Sequence, residues 1–240
     1  LIPVMVVAGV VGGGLWGLIP AFFKCRYGTN ETLFTLMLNY IALYLIAFLR
    51  DGPWRDPANP GFAKIATFEK NAQLPKVFGV HIGWIFALVL LAFVWVYLKY
   101  TKQGYEISVV GESQATARYS GMNVKKIILR TMFMSGAIAG IAGMAQAAGS
   151  DATLASGVAG GVGFTAIIVA WLGNLNPGSI FIISALFSIL EKGSSVVQSN
   201  FGLSTDCADV LQGIILFFIL GCEFFIRYKF VIRGKDGAGA

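Results

Sequence analysis

The sequence predicts an all-α integral membrane protein of about six transmembrane spans, and three observations predict it. The chain of 240 residues is 56% hydrophobic and only 12% charged, with a mean hydropathy of +0.73. A soluble domain carries about 25% charged residues. Long uncharged runs recur at the length of a bilayer crossing, about 20 residues. The basic residues gather between those runs, where they orient spans in a membrane. The net charge of +6 is therefore a topology signal. The expected surroundings are a lipid bilayer, and nucleic acid is not an expected partner.

Leu1–Phe23 is the first uncharged run, and Lys24 and Arg26 follow it at once. The positive-inside rule places that end in the cytoplasm. Asn30-Glu31 has the chemistry of a helix start, where a side-chain oxygen satisfies free backbone N–H groups. Thr32–Leu49 is the second span, running outward. Residues 50–81 form a long loop with four prolines and five Lys/Arg, read as external, with one short surface helix around Ala63–Gln73. Ile82–Leu98 returns inward, with Trp84, Trp95 and Tyr97 suited to the interfaces.

Residues 99–130 then form a cytoplasmic loop, and Gly111–Arg130 reads as a short helix within it. Thr131–Gly149 is the next span, with Gly136, Gly140 and Gly143 in a spacing that lets helices approach closely. Ala152–Leu190 carries no charge but is too long for one crossing. Asn174-Leu-Asn-Pro177 splits it, because proline lacks an N–H and disfavours helix in the residue before it. The expected result is a broken hairpin of Phe164–Gly173 and Gly178–Leu190, ending at the interfacial pair Glu191-Lys192. Asp209–Ile226 is the last span. The whole reads as one multi-pass domain, 1–240, with both ends cytoplasmic.

Enzymatic chemistry finds little support. Cys25, Cys207 and Cys222 have no metal spacing, His81 is the single histidine, and no metal site is expected. Gly157-Val-Ala-Gly160-Gly161-Val-Gly163 lacks the Lys and Ser/Thr of a phosphate-binding loop. The chain is expected to bind no cofactor itself. Polar residues inside spans usually face a bundle interior. Thr35, Asn39, Gln146, Asn174, Asn176 and Gln212 are accordingly the candidate pathway residues. The spans contain no buried ionisable cluster, which suits a neutral polar solute.

Small side chains at Ala115, Ala117 and Gly121, with Glu112 and Arg118, suggest a patch that a partner could approach. The run Gly111-Glu112-x-x-Ala115-x-Ala117-Arg118-Tyr119-x-Gly121-Met122-Asn123-Val124 resembles the cytoplasmic coupling motif of ABC importer permeases of the branched-chain amino acid/ribose-type family. The nucleoside-type members usually read Gly-Glu-Asn-Pro-x-Ala-Ala-Arg-Tyr-x-Gly-Ile. Here Ser113-Gln114 replaces Asn-Pro, and Thr116 stands where alanine is usual. Trp16-Gly-Leu-Ile-Pro20, Asn30–Tyr40 and the glycine-rich stretch from Gly161 to Pro177 extend the resemblance over nearly the whole chain.

The resemblance implies a permease subunit for nucleosides, with a ribose-type sugar as the alternative cargo. It implies ATPase subunits, which hold ATP-Mg, docked on Gly111, Glu112, Ala115, Ala117, Arg118 and Gly121. It also implies a second permease subunit, homo- or heterodimeric, an extracytoplasmic substrate-binding protein, and a bacterial-type plasma (inner) membrane. Family members usually have extra N-terminal helices, so a processed or truncated N-terminus is expected. An ion-coupled secondary transporter is the alternative of a different class, since broken helices can hold ions near the midplane.

Overall fold

Among the described residues, five of the apolar runs form helices long and apolar enough to cross a membrane: Ile2–Tyr27 (α1), Glu31–Asp51 (α2), Gly83–Tyr100 (α3), one that begins with Val124–Gln146 (α6), and one within Pro177–Phe201 (α8). The shorter helices are Lys102–Glu112 (α4), Gln114–Tyr119 (α5) and the apolar Val162–Leu172 (α7). The computed structural model describes residues 1–57, 61, 63–77, 80–155, 157–158, 160–201, 210, 213–214, 217–218, 221–222 and 225. The expected last span, Asp209–Ile226, lies largely outside them. The chain forms two units, Leu1–Gly160 and Gly161–Ala240.

In the first unit, local chemistry sets the helix ends. The Asn30 side chain accepts from the backbone N–H groups of Thr32 and Leu33 at 3.0 and 3.4 Å, so the expected cap starts α2. Gly28, with φ +68°, ends α1 and sends its N–H back to the Lys24 carbonyl. Lys24 pairs with Glu31 across this turn, and Phe23 stacks on Phe34 at 4.9 Å. Asn30→Ala is expected to lower the melting free energy of detergent-purified protein by about 1 kcal/mol. Thermal unfolding followed by circular dichroism measures it.

The tightest packing joins α1 to α6. A Cβ built on Gly13 meets the backbone of Gly136 and Gly140, and one on Gly17 meets Met132 and Gly136. A Cβ on Gly9 meets Gly140 and Met144. The α6 partners retreat as the α1 numbers advance, so the helices are antiparallel. Gly136 and Gly140 serve as the sequence spacing suggests. Gly143 does not, because a Cβ there meets nothing within 4 Å. The contact follows the four-residue row Met132, Gly136, Gly140 and Met144, and Gly143 falls outside that row.

The loop after α2 departs from expectation. Ala63–Gln73 is not helical. Its backbone bonds outward instead: Asp56 N–H to the Lys64 carbonyl, Phe68 N–H to Ala152 and Leu74 N–H to Ala148. A two-residue antiparallel ladder, Lys76–Val77 (β1) with Val80–His81 (β2), follows. This loop lies against the C-terminal end of α6, where the helix widens into a π-turn, Ala147–Asp151. Leu74, Met144 and Ala148 form a small buried cluster with Ile2, Met5, Ile82 and Phe86 packed on it.

In the second unit, the broken hairpin forms as expected, and its chemistry is explicit. Leu175 N–H bonds to the Ala170 carbonyl and Asn174 N–H to Trp171, the paired bonds of a Schellman stop, with Asn174 in the left-handed region at φ +50°. Asn176 then caps α8, its side chain accepting from Gly178 N–H at 3.0 Å, and Pro177 takes the first helical position. The helix does not end at Glu191-Lys192. It continues through that exposed pair to Phe201.

Candidate coupling loop and membrane pathway

The segment read as one short helix, Gly111–Arg130, is three pieces: the end of α4, all of α5 and the start of α6. Ser113 makes the break. Its extended backbone leaves α4, and its hydroxyl accepts from Thr116 N–H at 3.3 Å. A serine therefore does the capping work at a position where the family motif carries asparagine. At the other end, Met122 N–H bonds to the Ala117 carbonyl and Gly121 N–H to that of Arg118. These are again the paired bonds of a Schellman stop, and Gly121 supplies its left-handed residue at φ +75°. Asn123 next caps α6 through Lys126 N–H at 3.1 Å.

Three consecutive caps hold a short helix at the mouth of a long one. Further ties fix it. Arg130 of α6 donates to Glu106 of α4 at 3.1 Å, with both side chains about three-quarters buried. The tight α3–α4 corner needs Gly104, where a Cβ would meet the carbonyls of Tyr97 and Leu98. Thr101 fastens the same corner by accepting from Gly104 N–H at 3.1 Å and donating to the Tyr97 carbonyl at 2.6 Å.

The predicted loop residues divide into two groups. Gly111, Glu112, Ala115, Arg118 and Gly121 are exposed. Ala117 is 0% exposed and belongs to the inner face, with Val124 and Ile127 also buried at the start of α6. It cannot touch a partner, so its part is to seat α5. Tyr119 belongs to the quoted motif but was left out of the expected docking set, and it is 93% exposed beside Arg118. A full aromatic ring presented from a helix of otherwise small or polar residues was a usable signal, because tyrosine and arginine dominate the energetics of protein interfaces.

Of the predicted pathway residues in the first unit, Gln146 is not brought together with Thr35 and Asn39. Thr35 and Asn39, four apart on α2, are exposed on one helical stripe. The Thr35 hydroxyl donates to its own helix at the Thr32 carbonyl, 3.0 Å away. Gln146 is exposed at the end of α6, far along the antiparallel pair from the α2 start. Asn174 and Asn176 lie in the second unit, where Asn174 ends α7 and Asn176 caps the start of α8. Gln212 lies outside the described residues. Two cavities among the described residues of the first unit are apolar. One of about 420 Å³ is lined by α1, α2 and α6 around Trp16, Leu45 and Ala139. The other, of about 330 Å³, lies between α3 and α6 around Phe86, Leu90 and Ile141.

Residues 1–220 match the family described as the permease component of the branched-chain amino acid transport system. Among similar proteins, the glucose ABC transporter permease of Haloferax volcanii is 30% identical, with 98% of this chain and 66% of that protein aligned. The guanosine ABC transporter permease of Bacillus subtilis is 29% identical, covering 99% and 69%. The nucleoside ABC transporter permease of Lactococcus lactis is 30% identical, covering 91% and 63%. The chain thus spans about two thirds of the length of these relatives. No solved structure matches it. With its apolar helices and its match over most of the sequence, the chain belongs to the family of branched-chain amino acid transport system permease components.

Proposed function

We infer that the chain is the membrane-spanning permease subunit of an ATP-binding cassette importer in a bacterial-type plasma membrane, and that it carries nucleosides. The observation that carries this reading is α5, capped at both ends and exposing Arg118 and Tyr119 at the mouth of α6. A rigid projection of that kind can transmit a push, where a solvated loop would yield. ATPase subunits holding ATP-Mg would dock there. A second permease would complete the pathway, and an extracytoplasmic binding protein would deliver the solute. The guanosine and nucleoside permeases among the relatives favour the nucleoside cargo. The glucose permease, equally similar, favours a sugar as the second reading.

Uptake of labelled guanosine, ribose and glucose by vesicles holding the chain and its neighbouring gene products separates the cargoes. ATP-dependent guanosine uptake supports the first reading. Sugar uptake alone supports the second. Uptake that ignores ATP and collapses with an ionophore would return the chain to the ion-coupled class.

Asn39 is the polar side chain best placed to meet a solute among the predicted set, being exposed near the middle of a span and no part of a helix end. Asn39→Leu is expected to cut uptake about fivefold, the worth of one hydrogen bond at ~1 kcal/mol, without lowering thermal stability. Initial uptake rates and a melting curve check both halves.

A further inference from the structure

The far end of α6 carries features that the coupling reading does not use. α6 begins at the Asn123 cap beside α5 and runs 23 residues to Gln146. At 1.5 Å per residue that is about 35 Å, enough to cross a hydrocarbon core of about 30 Å. Its C-terminal end therefore lies on the opposite side of the membrane from the coupling loop. There it opens into the π-turn Ala147–Asp151, a wide turn that is uncommon in helices and clusters at functional sites.

The segment 65–77 is strapped onto this turn. Leu74 N–H bonds to the Ala148 carbonyl at 3.0 Å and Phe68 N–H to Ala152 at 2.8 Å, while the Thr153 hydroxyl donates to the Ile65 carbonyl at 3.1 Å. The Leu74 side chain is buried in one cluster with Met144 and Ala148. Two unfavourable features sit at the same place. Ala152, a residue with a Cβ, is held at φ +51°, which favours glycine. The His81 ring fills the space beside Gly83 and Gly149, and its Nδ1 is buried with no hydrogen-bond partner among the described residues. A closed arrangement that keeps a left-handed alanine and an unpaired buried nitrogen is poised to open.

We propose that residues 65–77 are a strap that closes and releases the extracytoplasmic end of the permease, with the π-turn Ala147–Asp151 as its hinge. The inference rests on the nucleoside-importer reading, for its direction of drive and for its assay. α6 would carry the movement of α5 to the hinge, since one continuous helix joins them. Release of the strap would pair the His81 nitrogen with water and relax Ala152.

The test is a reversible staple. Leu74→Cys with Ala148→Cys, in a chain whose Cys25, Cys207 and Cys222 are alanine, places two thiols within one buried cluster. It is assembled with its ATPase in vesicles, oxidised, and assayed for guanosine uptake with bridge formation followed by mass. The expected result is at least a tenfold loss of uptake on oxidation, restored by reductant, with the ATPase still bound in both states. Unchanged uptake with the bridge formed overturns the strap. Should the reduced pair already be inactive, Ala152→Gly decides. Relieving the left-handed alanine favours the closed strap and is expected to slow uptake three- to fivefold, and an unchanged rate overturns the proposal. Loss of ATPase from oxidised and reduced forms alike would instead count against the importer reading.

Discussion

Gly140→Val is expected to prevent the first unit from assembling. Gly140 faces the Gly9 carbonyl and the Gly13 Cα across the α1–α6 contact. A side chain there meets backbone, which cannot swing aside as a flexible side chain would. Overpacking a core commonly costs about 1–3 kcal/mol, and with backbone on both sides the cost here is expected at the upper end, at about 3 kcal/mol. Detergent-solubilised Gly140→Val should elute as aggregate and lose its cooperative melt. Gly143→Val is the matched control. It adds the same side chain to the same helix, three residues on, where a Cβ meets nothing, and it should melt like the parent. Equal behaviour of the two variants would mean that the helices do not pack through this stripe.

The same contact explains which parts of the fold could be read from the sequence. Spans are legible because each is a local property, a run of about 20 apolar residues. The Asn30 cap and the break at Asn174–Pro177 are legible because capping and proline chemistry act within four residues. The glycines of α6 were visible by spacing, and Gly9, Gly13 and Gly17 carry the same spacing on α1. Which of them meet is a relation between helices, and spacing alone gave Gly143 as readily as Gly136. The strap over the π-turn is harder still. Phe68 and Leu74 bond to carbonyls some eighty residues away in sequence, at Ala152 and Ala148, and no local pattern encodes that pairing. A short helix was expected over Ala63–Gln73. The backbone instead found its partners at the end of α6.

The short helix within residues 99–130 was legible in place but not in facing. Tyr119→Ala is expected to reduce ATPase association and uptake by at least tenfold while leaving the permease as stable as before. The side chain is 93% exposed, so its removal takes nothing from the fold. At the centre of a docked interface an aromatic anchor is worth about 2 kcal/mol or more, which is more than tenfold in affinity. Ala117→Arg should also abolish uptake, for a different reason. Ala117 is 0% exposed, and its carbonyl takes the Met122 N–H that closes the end of α5. An arginine there has no room and no partner, so it must push α5 off the mouth of α6. The two variants are therefore separable. Tyr119→Ala should keep the parent's melting temperature and its resistance to protease within residues 113–123. Ala117→Arg should lose that resistance, and co-purification of the ATPase should fail for both. Full ATPase binding by Tyr119→Ala, with uptake intact, would leave Arg118 and Ala115 to carry the contact and would remove the aromatic ring from the coupling surface.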